Sequence, residues 1–198
     1  MPETIAYIRA QLAKAGAPSS DFDLNPEFSR PERKLREAAV LIALMKKNDA
    51  WHIILTMRSS ALKHHPGQIA FPGGKRDADD SNLTETALRE AEEEIGLPKG
   101  NVDVIGGLEA HETVTGFTVT PIVGVVREPF TMMPEAGEVA EVFTVPLDFL
   151  TTPGNFQVQS RRWLGHRRHY YAIPFGPYYV WGATARMLRA FADGMEAT

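Results

Sequence analysis

The sequence contains no cysteine among its 198 residues. Disulfide bonds, thiolate metal sites and cysteine nucleophiles are therefore excluded, and the composition fits a reducing compartment. Long apolar runs are missing as well, since no segment approaches the roughly 20 apolar residues of a membrane-spanning helix. The N-terminus lacks the basic start and the continuous apolar stretch of a secretion signal. These absences favour a cytoplasmic location and give no reason to expect a membrane partner.

The chain also lacks an excess of positive charge. It carries 21 Lys and Arg residues against 25 Asp and Glu residues, which gives a formal charge of -4. Proteins that bind the phosphate backbone of a long nucleic acid usually carry a basic excess, so we do not expect such a partner. A small anionic substrate is compatible with this charge, because local basic clusters and a bound cation can reverse the potential inside a pocket.

The composition that is present predicts one globular domain. A hydrophobic fraction of 43% and a charged fraction of 23% are ordinary for a soluble domain, and the length suffices for one full-sized core. We expect residues 1–34 to form an accessory helix and a connector, and residues 35–198 to form the main domain. Nothing in the composition indicates the oligomeric state.

Apolar periodicity and turn residues predict an α/β fold, with a mixed sheet and helices on its faces. The N-terminal helix is expected to end near Ala15 and to be followed by an irregular connector over residues 17–34. A β-hairpin is predicted from the runs that begin at Ala38 and Trp51, joined at Asn48 and Asp49. Further expected elements are a helix over Leu83–Ile95 with Ser81 or Asp80 as its N-cap and Gly96 at its end, strands over 102–108, 113–126 and 141–145, and a last helix over 180–192.

A cluster of acidic residues lies in the helix predicted over 83–95. Glu90, Glu93 and Glu94 stand at positions i, i+3 and i+4, so their carboxylates are expected to converge on one arc of the helix surface. Like charges at this spacing weaken an isolated helix by roughly a few tenths of a kcal/mol per pair, so a compensating partner is expected. A hard divalent cation with oxygen ligands would provide it, although such a cluster alone also fits a solvated acidic face.

Two segments together resemble the signature of Nudix hydrolases. Residues 89–97 meet every position of its second half, which runs Arg-Glu-apolar-any-Glu-Glu-any-Gly-apolar. The upstream segment Phe-Pro-Gly-Gly-Lys-Arg, residues 71–76, contains glycines that allow the backbone to approach a metal or a phosphate closely.

The first half of the signature departs from the pattern. Gly74 lies one residue too far from Arg89, and Ser81 stands where the outer glutamate of the family is expected. That glutamate is therefore unassigned, and the nearby acids that could take its place are Asp77, Asp79 and Asp80.

The resemblance implies the Nudix α/β/α sandwich and a Mg²⁺ or Mn²⁺ cofactor. Glu90, Glu93 and Glu94 would be metal ligands, and the carbonyl of Gly73 is a candidate for a further ligand. Arg89 would orient Glu93 through an ion pair at i+4. In this chemistry the metal neutralises a diphosphate and acidifies a water molecule for in-line attack on phosphorus.

A second resemblance narrows the substrate. The stretch from residue 54 to 74 is similar to the signature of the coenzyme A pyrophosphatase branch of Nudix hydrolases, with Ile54 and Lys63 in place of its Leu and Arg. The extra residue before Arg89, the segment 138–146 and the Trp-Gly-Ala-Thr-Ala segment at 181–185 are also similar to this branch. Members of the branch split coenzyme A and its thioesters into 3′,5′-ADP and a 4′-phosphopantetheine product.

The resemblance to this branch implies Arg58, Lys63, Gly73 and Gly74 as candidate substrate contacts. Arg58 and Lys63 fit a solvated position equally well. His64 and His65 could also meet phosphate oxygens, although surface positions are favoured for them. A second basic and aromatic cluster fits the solvent-facing side of a hairpin better than a phosphate site; it consists of Arg161, Arg162, Trp163, His166, Arg167, Arg168, His169, Tyr170 and Tyr171.

A distal carboxylate is expected to act as an additional metal ligand or as a base. Glu138 is the favoured candidate, because it lies in a Gly-containing loop before an apolar strand. Glu141 and Glu112 compete with it for this role.

Three functions remain open from the sequence. The first is a coenzyme A diphosphatase, and the second is a Nudix enzyme for ADP-ribose or a dinucleoside polyphosphate. The third is a nucleotide-sensing Nudix module without hydrolysis, against which the three retained glutamates argue. In each of them the partner is a small nucleotide-containing molecule.

Overall fold

The computed structural model describes residues 2–14, 16–28, 30, 32–163 and 165–196. Within these ranges no helix combines the length and the apolarity needed to span a membrane. In chain order the elements are α1 (Pro2–Leu12), β1 (Ser19–Ser20), β2 (Arg36–Lys47), β3 (Ala50–Arg58), β4 (Ile69–Ala70), β5 (Gly73–Lys75), α2 (Leu83–Ile95), β6 (Val102–Gly107), β7 (His111–Glu112), β8 (Phe117–Val126), β9 (Val139–Pro146), α3 (Leu147–Thr151), β10 (Gln157–Trp163), β11 (His166–Phe175), β12 (Tyr178–Trp181) and α4 (Ala183–Glu196).

Strand β2 lies in the middle of a mixed sheet. It pairs in parallel with β8, and antiparallel with β3 and with the short strand β5. The main path of the sheet runs β1-β7-β8-β2-β3-β4, while β6 pairs with β8 and β9 pairs with β3. The predicted hairpin of β2 and β3 is confirmed, and its turn residues Asn48 and Asp49 adopt φ angles of 49° and 63°, which Asn and Asp tolerate better than most residues.

Helices cover both faces of this sheet. Alternate residues of β2 point to opposite sides, so Leu41 packs with Ala91 and Ile95 of α2, whereas Ile42 packs in the cluster that contains Phe191 of α4. The expected α/β fold, a mixed sheet flanked by helices, is therefore confirmed.

Helix α2 has the predicted bounds, but its N-cap differs from the prediction. Asn82 is the cap, and its Oδ1 accepts the Glu85 N–H at 2.9 Å. Ser81 bonds to the Glu85 carboxylate instead, and Asp80 bonds to other groups. Gly96 ends the helix with a φ of 70°, as expected for a left-handed C-cap.

The C-terminal third differs most from the sequence prediction. Helix α4 begins at Ala183, because residues 178–181 form β12 in a separate antiparallel sheet of β10, β11 and β12. The strand expected over 113–126 begins only at Phe117, as β8, because residues 113–116 form a turn in which the N–H of Gly116 donates to the carbonyl of Thr113. The strands expected over 102–108 and 141–145 are observed as β6 and β9.

The N-terminal segment is integrated into the fold. Helix α1 ends at Leu12, and the predicted end at Ala15 falls on a residue outside the described ranges. Ile8 is only 2% exposed and belongs to the core cluster beneath α4. The stretch over 17–34, predicted as an irregular connector, contains β1, which pairs in parallel with β7.

Candidate active site

The glycine loop of β5 lies against the acidic face of α2. The N–H of Gly73 donates to Oε2 of Glu94 at 3.1 Å, and Glu94 is 6% exposed. Gly73 has a φ of 153°, and a Cβ at this position would lie 2.4 Å from the carbonyl oxygen of Ala39. A Cβ on Gly74 would lie 2.5 Å from the carboxyl carbon of Glu90. Both glycines are therefore required for the close approach of the loop to the two glutamates.

Negative charge is concentrated around this loop. Burial raises the pKa of Glu94 to about 7, and the charges of Glu90 and Glu138 contribute to the rise, whereas the Gly73 hydrogen bond and Arg58 oppose it. Burial also raises the pKa of Glu90, with smaller contributions from Glu93 and Glu138, while Arg89 opposes the shift. Glu90, Glu94 and Glu138 thus influence one another electrostatically.

Glu93 has a different environment from the other two glutamates. Its side chain is 58% exposed, and its Oε2 accepts a hydrogen bond from Nη1 of Arg89 at 2.9 Å, as the i+4 spacing predicted. No three His, Asp or Glu side chains within the described ranges are already grouped to hold an ion. The three carboxylates are therefore not grouped around one point: the loop contacts Glu90 and Glu94, while Nη1 of Arg89 lies between Oε2 of Glu93 at 2.9 Å and Oε1 of Glu90 at 3.0 Å.

Arg89 is held by a buried carboxylate that the sequence left among three candidates. Oδ1 and Oδ2 of Asp80 accept hydrogen bonds from Nε and Nη2 of Arg89 at 2.9 and 3.0 Å. Asp80 also accepts the Asp77 N–H and the hydroxyl of Thr86, each at 2.9 Å. The hydrogen bonds from Arg89 hold the pKa of Asp80 well below its usual range, although burial opposes this shift. Asp79 is exposed.

The donor set beside the loop fits a hard divalent cation. Glu90 and Glu94 offer carboxylate oxygens, no thiol exists in the chain, and both side chains are largely withdrawn from water. Mg²⁺ and Mn²⁺ prefer such oxygen donors, and a cation would remove the repulsion that contributes to the raised pKa values of both groups. The residues present could therefore hold the metal that the sequence resemblance implies.

The three candidates for the distal carboxylate occupy different places. Glu138 is fixed through its backbone, whose carbonyl accepts the Ser59 N–H at 2.7 Å, and its charge affects Glu90 and Glu94. Glu141 accepts a hydrogen bond from the Tyr178 hydroxyl at 2.5 Å. Glu112 forms an ion pair with Arg30 at 3.5 Å.

A cavity of about 270 Å³ opens between the two sheets. Val40 and Phe71, the neighbours of the glycine loop, contribute to its wall, and so does Arg58, whose charge also acts on Glu94. On the other side the wall consists of residues from the second sheet and the start of α4, including Arg161, Arg168, His169, Tyr170, Tyr171, Trp181 and Arg186. The cavity therefore extends from the acidic loop towards the second basic cluster.

The cavity divides the sequence-predicted basic residues into two groups. Arg58 and His65 line it, whereas Lys63 and His64 are exposed on the intervening loop and do not. In the second cluster, predicted to be the solvent-facing side of a hairpin, that prediction is wrong for Arg168, His169, Tyr170 and Tyr171, which are partly buried and line the cavity, whereas Arg161 lines the cavity and is also exposed. The prediction is right for His166, Arg162 and Arg167, which are exposed away from the cavity. Which of these residues face the cavity depends on the pairing of β10 with β11, and the sequence patterns did not specify this pairing.

Comparisons with known proteins identify the family. The NUDIX domain profile matches residues 34–166. The chain is 38% identical over 169 residues to the uncharacterized Nudix hydrolase NudL of Enterobacter sp. (strain 638), covering 85% of this chain and 88% of the relative. The protein of the same name from Pectobacterium atrosepticum is 38% identical over 170 residues, covering 84% and 86%.

A solved structure was found with lower similarity. The crystal structure of RenU, a Nudix hydrolase from M. smegmatis, is 26% identical, covers 60% of this chain and 78% of that chain, and superposes with a TM-score of 0.46. The family profile spans two thirds of the chain, and the NudL relatives align over most of their length. The chain therefore belongs to the Nudix hydrolases, enzymes that hydrolyse diphosphate bonds.

Proposed function

We propose that this Nudix hydrolase cleaves the diphosphate bond of coenzyme A and its thioesters, giving 3′,5′-ADP and 4′-phosphopantetheine. The proposed cofactor is Mg²⁺ or Mn²⁺. The observation that carries the proposal is the position of Arg58, which lines the cavity and acts electrostatically on Glu94. A substrate with its diphosphate at the acidic loop could thus extend its nucleotide into the cavity.

The proposed metal ligands are Glu90, Glu93 and Glu94, with the carbonyl of Gly73 as a further ligand. The carboxylates of Glu94 and Glu90 beside Gly73 and Gly74 support this assignment, because a bound cation would offset the burial and the mutual repulsion that raise their pKa values. Glu93 is the neighbour of Glu90 through Arg89, because Nη1 of Arg89 contacts both carboxylates. When bound, the cation supplies charge neutralisation for the diphosphate and Lewis acidity at phosphorus.

The chain's own residues have separate proposed roles. Arg89, fixed by Asp80, positions Glu93. Gly73 and Gly74 leave room for the diphosphate beside the backbone, and Arg58 adds positive charge next to it. Glu138 is proposed as the distal carboxylate, acting as a further ligand or as the base that accepts a proton. Lys63 is proposed as a contact at the mouth of the cavity, on the loop that also contains His65.

The residues of the cavity wall support coenzyme A as the proposed substrate. An adenosine with a ribose phosphate needs cations and an aromatic surface, and the cavity offers Arg58, Arg161, Tyr170 and Trp181. The apolar Val40 also contributes to the wall.

The test is analysis of reaction products by mass spectrometry. Purified protein would be incubated with Mg²⁺ or Mn²⁺ and, in parallel, with coenzyme A, ADP-ribose and a diadenosine polyphosphate. We expect 3′,5′-ADP and phosphopantetheine from the first substrate. Cleavage of the others alone would retain the metal mechanism and reject coenzyme A as the substrate. Absence of any cleavage, with nucleotide binding retained, would support the sensor hypothesis.

A further inference from the structure

We propose that the Arg161 side of the cavity is a subsite for a phosphate monoester that the substrate carries outside the cleaved diphosphate. The inference rests on the proposed function and extends it, because it assigns the residue that distinguishes a nucleotide with a ribose phosphate from one without it. Arg161 lies in β10 and pairs across the hairpin with Arg168 of β11.

Among the described residues, an aromatic ring and not a carboxylate holds Arg161 in place. Its guanidinium lies over the ring of Trp181, with 4.5 Å between the guanidinium carbon and the ring centroid. Tyr170 meets Trp181 edge to face, with 5.3 Å between the ring centroids. When a guanidinium stacks on an aromatic face, its N–H groups point outwards in the plane of the guanidinium, where they can donate to an anion.

The other arginines of the cavity already have acidic partners. Arg186 contacts Asp23 at 2.8 Å, and Arg168 lies 3.7 Å from Asp21. Neither Arg58 nor Arg161 forms a salt bridge with any carboxylate in the part of the chain that the structure describes. Within the described residues, the cavity therefore contains two guanidinium groups that no carboxylate holds in a salt bridge, and of these Arg58 is the one with a known electrostatic effect on Glu94.

Arg58 and Arg161 act on the same region. Both charges lower the pKa of His65, which burial lowers most, and His65 lines the cavity between the loop and the second sheet. Coulombic effects of this kind fall off with distance, so both guanidinium groups lie near His65. Arg58 lies at the end of β3 in the main sheet, whereas Arg161 lies in β10 of the second sheet, so the two guanidinium groups enter the cavity from different sheets.

A phosphate monoester is the ligand chemistry that matches this arrangement. It carries a charge of roughly -1.5 to -2 near neutral pH and presents three acceptor oxygens, which suit the planar fork of an arginine. The uncharged pantetheine arm would leave the guanidinium group of Arg161 without a counterion. The nucleoside portion with its ribose phosphate is therefore the part of the substrate assigned to the cavity, with the base near Tyr170 and Trp181.

The kinetic test uses coenzyme A and 3′-dephospho-coenzyme A as a matched substrate pair. Arg161→Gln is expected to lower the ratio of their kcat/KM values by about 10-fold or more, mainly through a higher KM for coenzyme A. Arg162→Gln is the control, because it removes the same charge from the next residue of β10, which is exposed and does not line the cavity. This control is expected to leave the ratio within about twofold, since an exposed charge outside the cavity contributes little. An equal effect of Arg161→Gln on both substrates would overturn the proposal. The proposal would also be overturned if Lys63→Gln changed the ratio and Arg161→Gln did not.

A binding measurement separates this proposal from the proposed reaction. Calorimetry with 3′,5′-ADP and 5′-AMP involves no bond cleavage, and the wild-type protein is expected to bind 3′,5′-ADP about 10-fold more tightly, a preference lost in Arg161→Gln. If coenzyme A is not cleaved but this preference is found, the subsite is supported and the reaction is rejected. Equal affinities in the wild-type protein would overturn the subsite even if coenzyme A is cleaved.

Discussion

Glu94 and Glu93 are adjacent residues with opposite environments. Glu94 is buried and accepts the Gly73 N–H, while the Glu93 side chain is 58% exposed and pairs with Arg89. The sequence spacing placed both on one arc of the helix, but it could not show which carboxylate the loop would cover. That difference depends on the register of β5 against β2, in which Gly73 pairs with Val40.

Replacement of Glu94 by Gln should strongly reduce turnover. The substitution keeps the shape of the side chain and removes the charge that we propose binds the metal, so we expect kcat to fall by about 10³-fold or more. Glu92→Gln is the control, because Glu92 is an exposed residue of the same helix. Steady-state kinetics on the cleaved substrate measure both variants. Near-native turnover of Glu94→Gln would remove Glu94 from the metal site.

The raised pKa of Glu94 also predicts how stability depends on pH. In the metal-free folded protein the pKa rises from 4.5 to about 7, so the folded state holds this proton more tightly than the unfolded state. Ionising Glu94 in the folded protein therefore lowers the free energy of unfolding. This loss is absent below pH 4.5, grows as pH rises, and is complete above about pH 7, where it reaches about 3 kcal/mol.

Urea unfolding with a chelator present measures this effect. Relative to the wild type, Glu94→Gln should have similar stability near pH 4.5 and a higher free energy of unfolding by up to about 3 kcal/mol at pH 8. Added Mg²⁺ should reduce the difference, because it binds the wild-type carboxylate and stabilises the folded state. Parallel pH profiles of the two proteins would contradict the assigned environment of Glu94.

At the scale of elements, the loop between β5 and α2 is attached to the helix through Asp80 and Arg89. The residue where the family signature has a glutamate is Ser81, and its side chain bonds to the nearby Glu85 and Asn82. The neighbouring Asp80 supplies the buried carboxylate instead. With one extra residue in this loop, counting back from Arg89 does not identify the acid that contacts the helix, which is why the sequence alone left three candidates.

Asp80→Asn should destabilise the protein and impair catalysis together. The amide cannot accept both guanidinium hydrogen bonds, and loss of one partner of a buried ion pair costs about 3 kcal/mol. The low pKa of Asp80 means that its contribution is present above its ordinary value of 3.8 and is lost as pH falls. The difference in free energy of unfolding between wild type and variant should therefore shrink under acidic conditions.

Asp79→Asn is the matched control for this substitution, because Asp79 is exposed in the same loop. Denaturant unfolding and steady-state kinetics should show little change in this control. Equal effects of the two substitutions would mean that charge in the loop, rather than the contact with Arg89, is the cause.

The elements that the sequence predicted well are those with strong local signals. The β2–β3 hairpin has turn residues at its tip, and α2 combines a regular apolar face with Gly96 at its end. The second sheet was missed because its strands are rich in Arg, His and Tyr instead of alternating apolar residues, and Val180 and Trp181 also fit the helical spacing of α4. For the same reason the cavity, whose wall needs both sheets, could not be predicted.

At the scale of the whole molecule, residues before the NUDIX match contribute to the core. The profile begins at residue 34, yet Ile8 of α1 is buried with the residues beneath α4. Asn25, also upstream, donates to the carbonyl of His169 and accepts its N–H. Sequence patterns near the N-terminus were too short to indicate these long-range contacts.

Ile8→Ala should lower stability by about 2–4 kcal/mol, because it leaves a cavity in the core. Val158→Ala is a suitable control, since Val158 is 56% exposed, and we expect a change of less than about 1 kcal/mol. Chemical denaturation followed by circular dichroism measures both. A change in Ile8→Ala no larger than in the control would show that α1 is dispensable for the core.

The contact between α1 and α4 also affects how this chain can fold during synthesis. The hydroxyl of Tyr7 donates to the carbonyl of Met195, across a separation of 188 residues. Because a ribosome releases the chain from its N-terminus, α1 can meet β6, where Arg9 pairs with Asp103, well before it can meet α4. The part of α1 that packs on α4 must therefore stay uncovered until the end of the chain has left the exit tunnel, and its docking there is one of the last steps in forming the native protein.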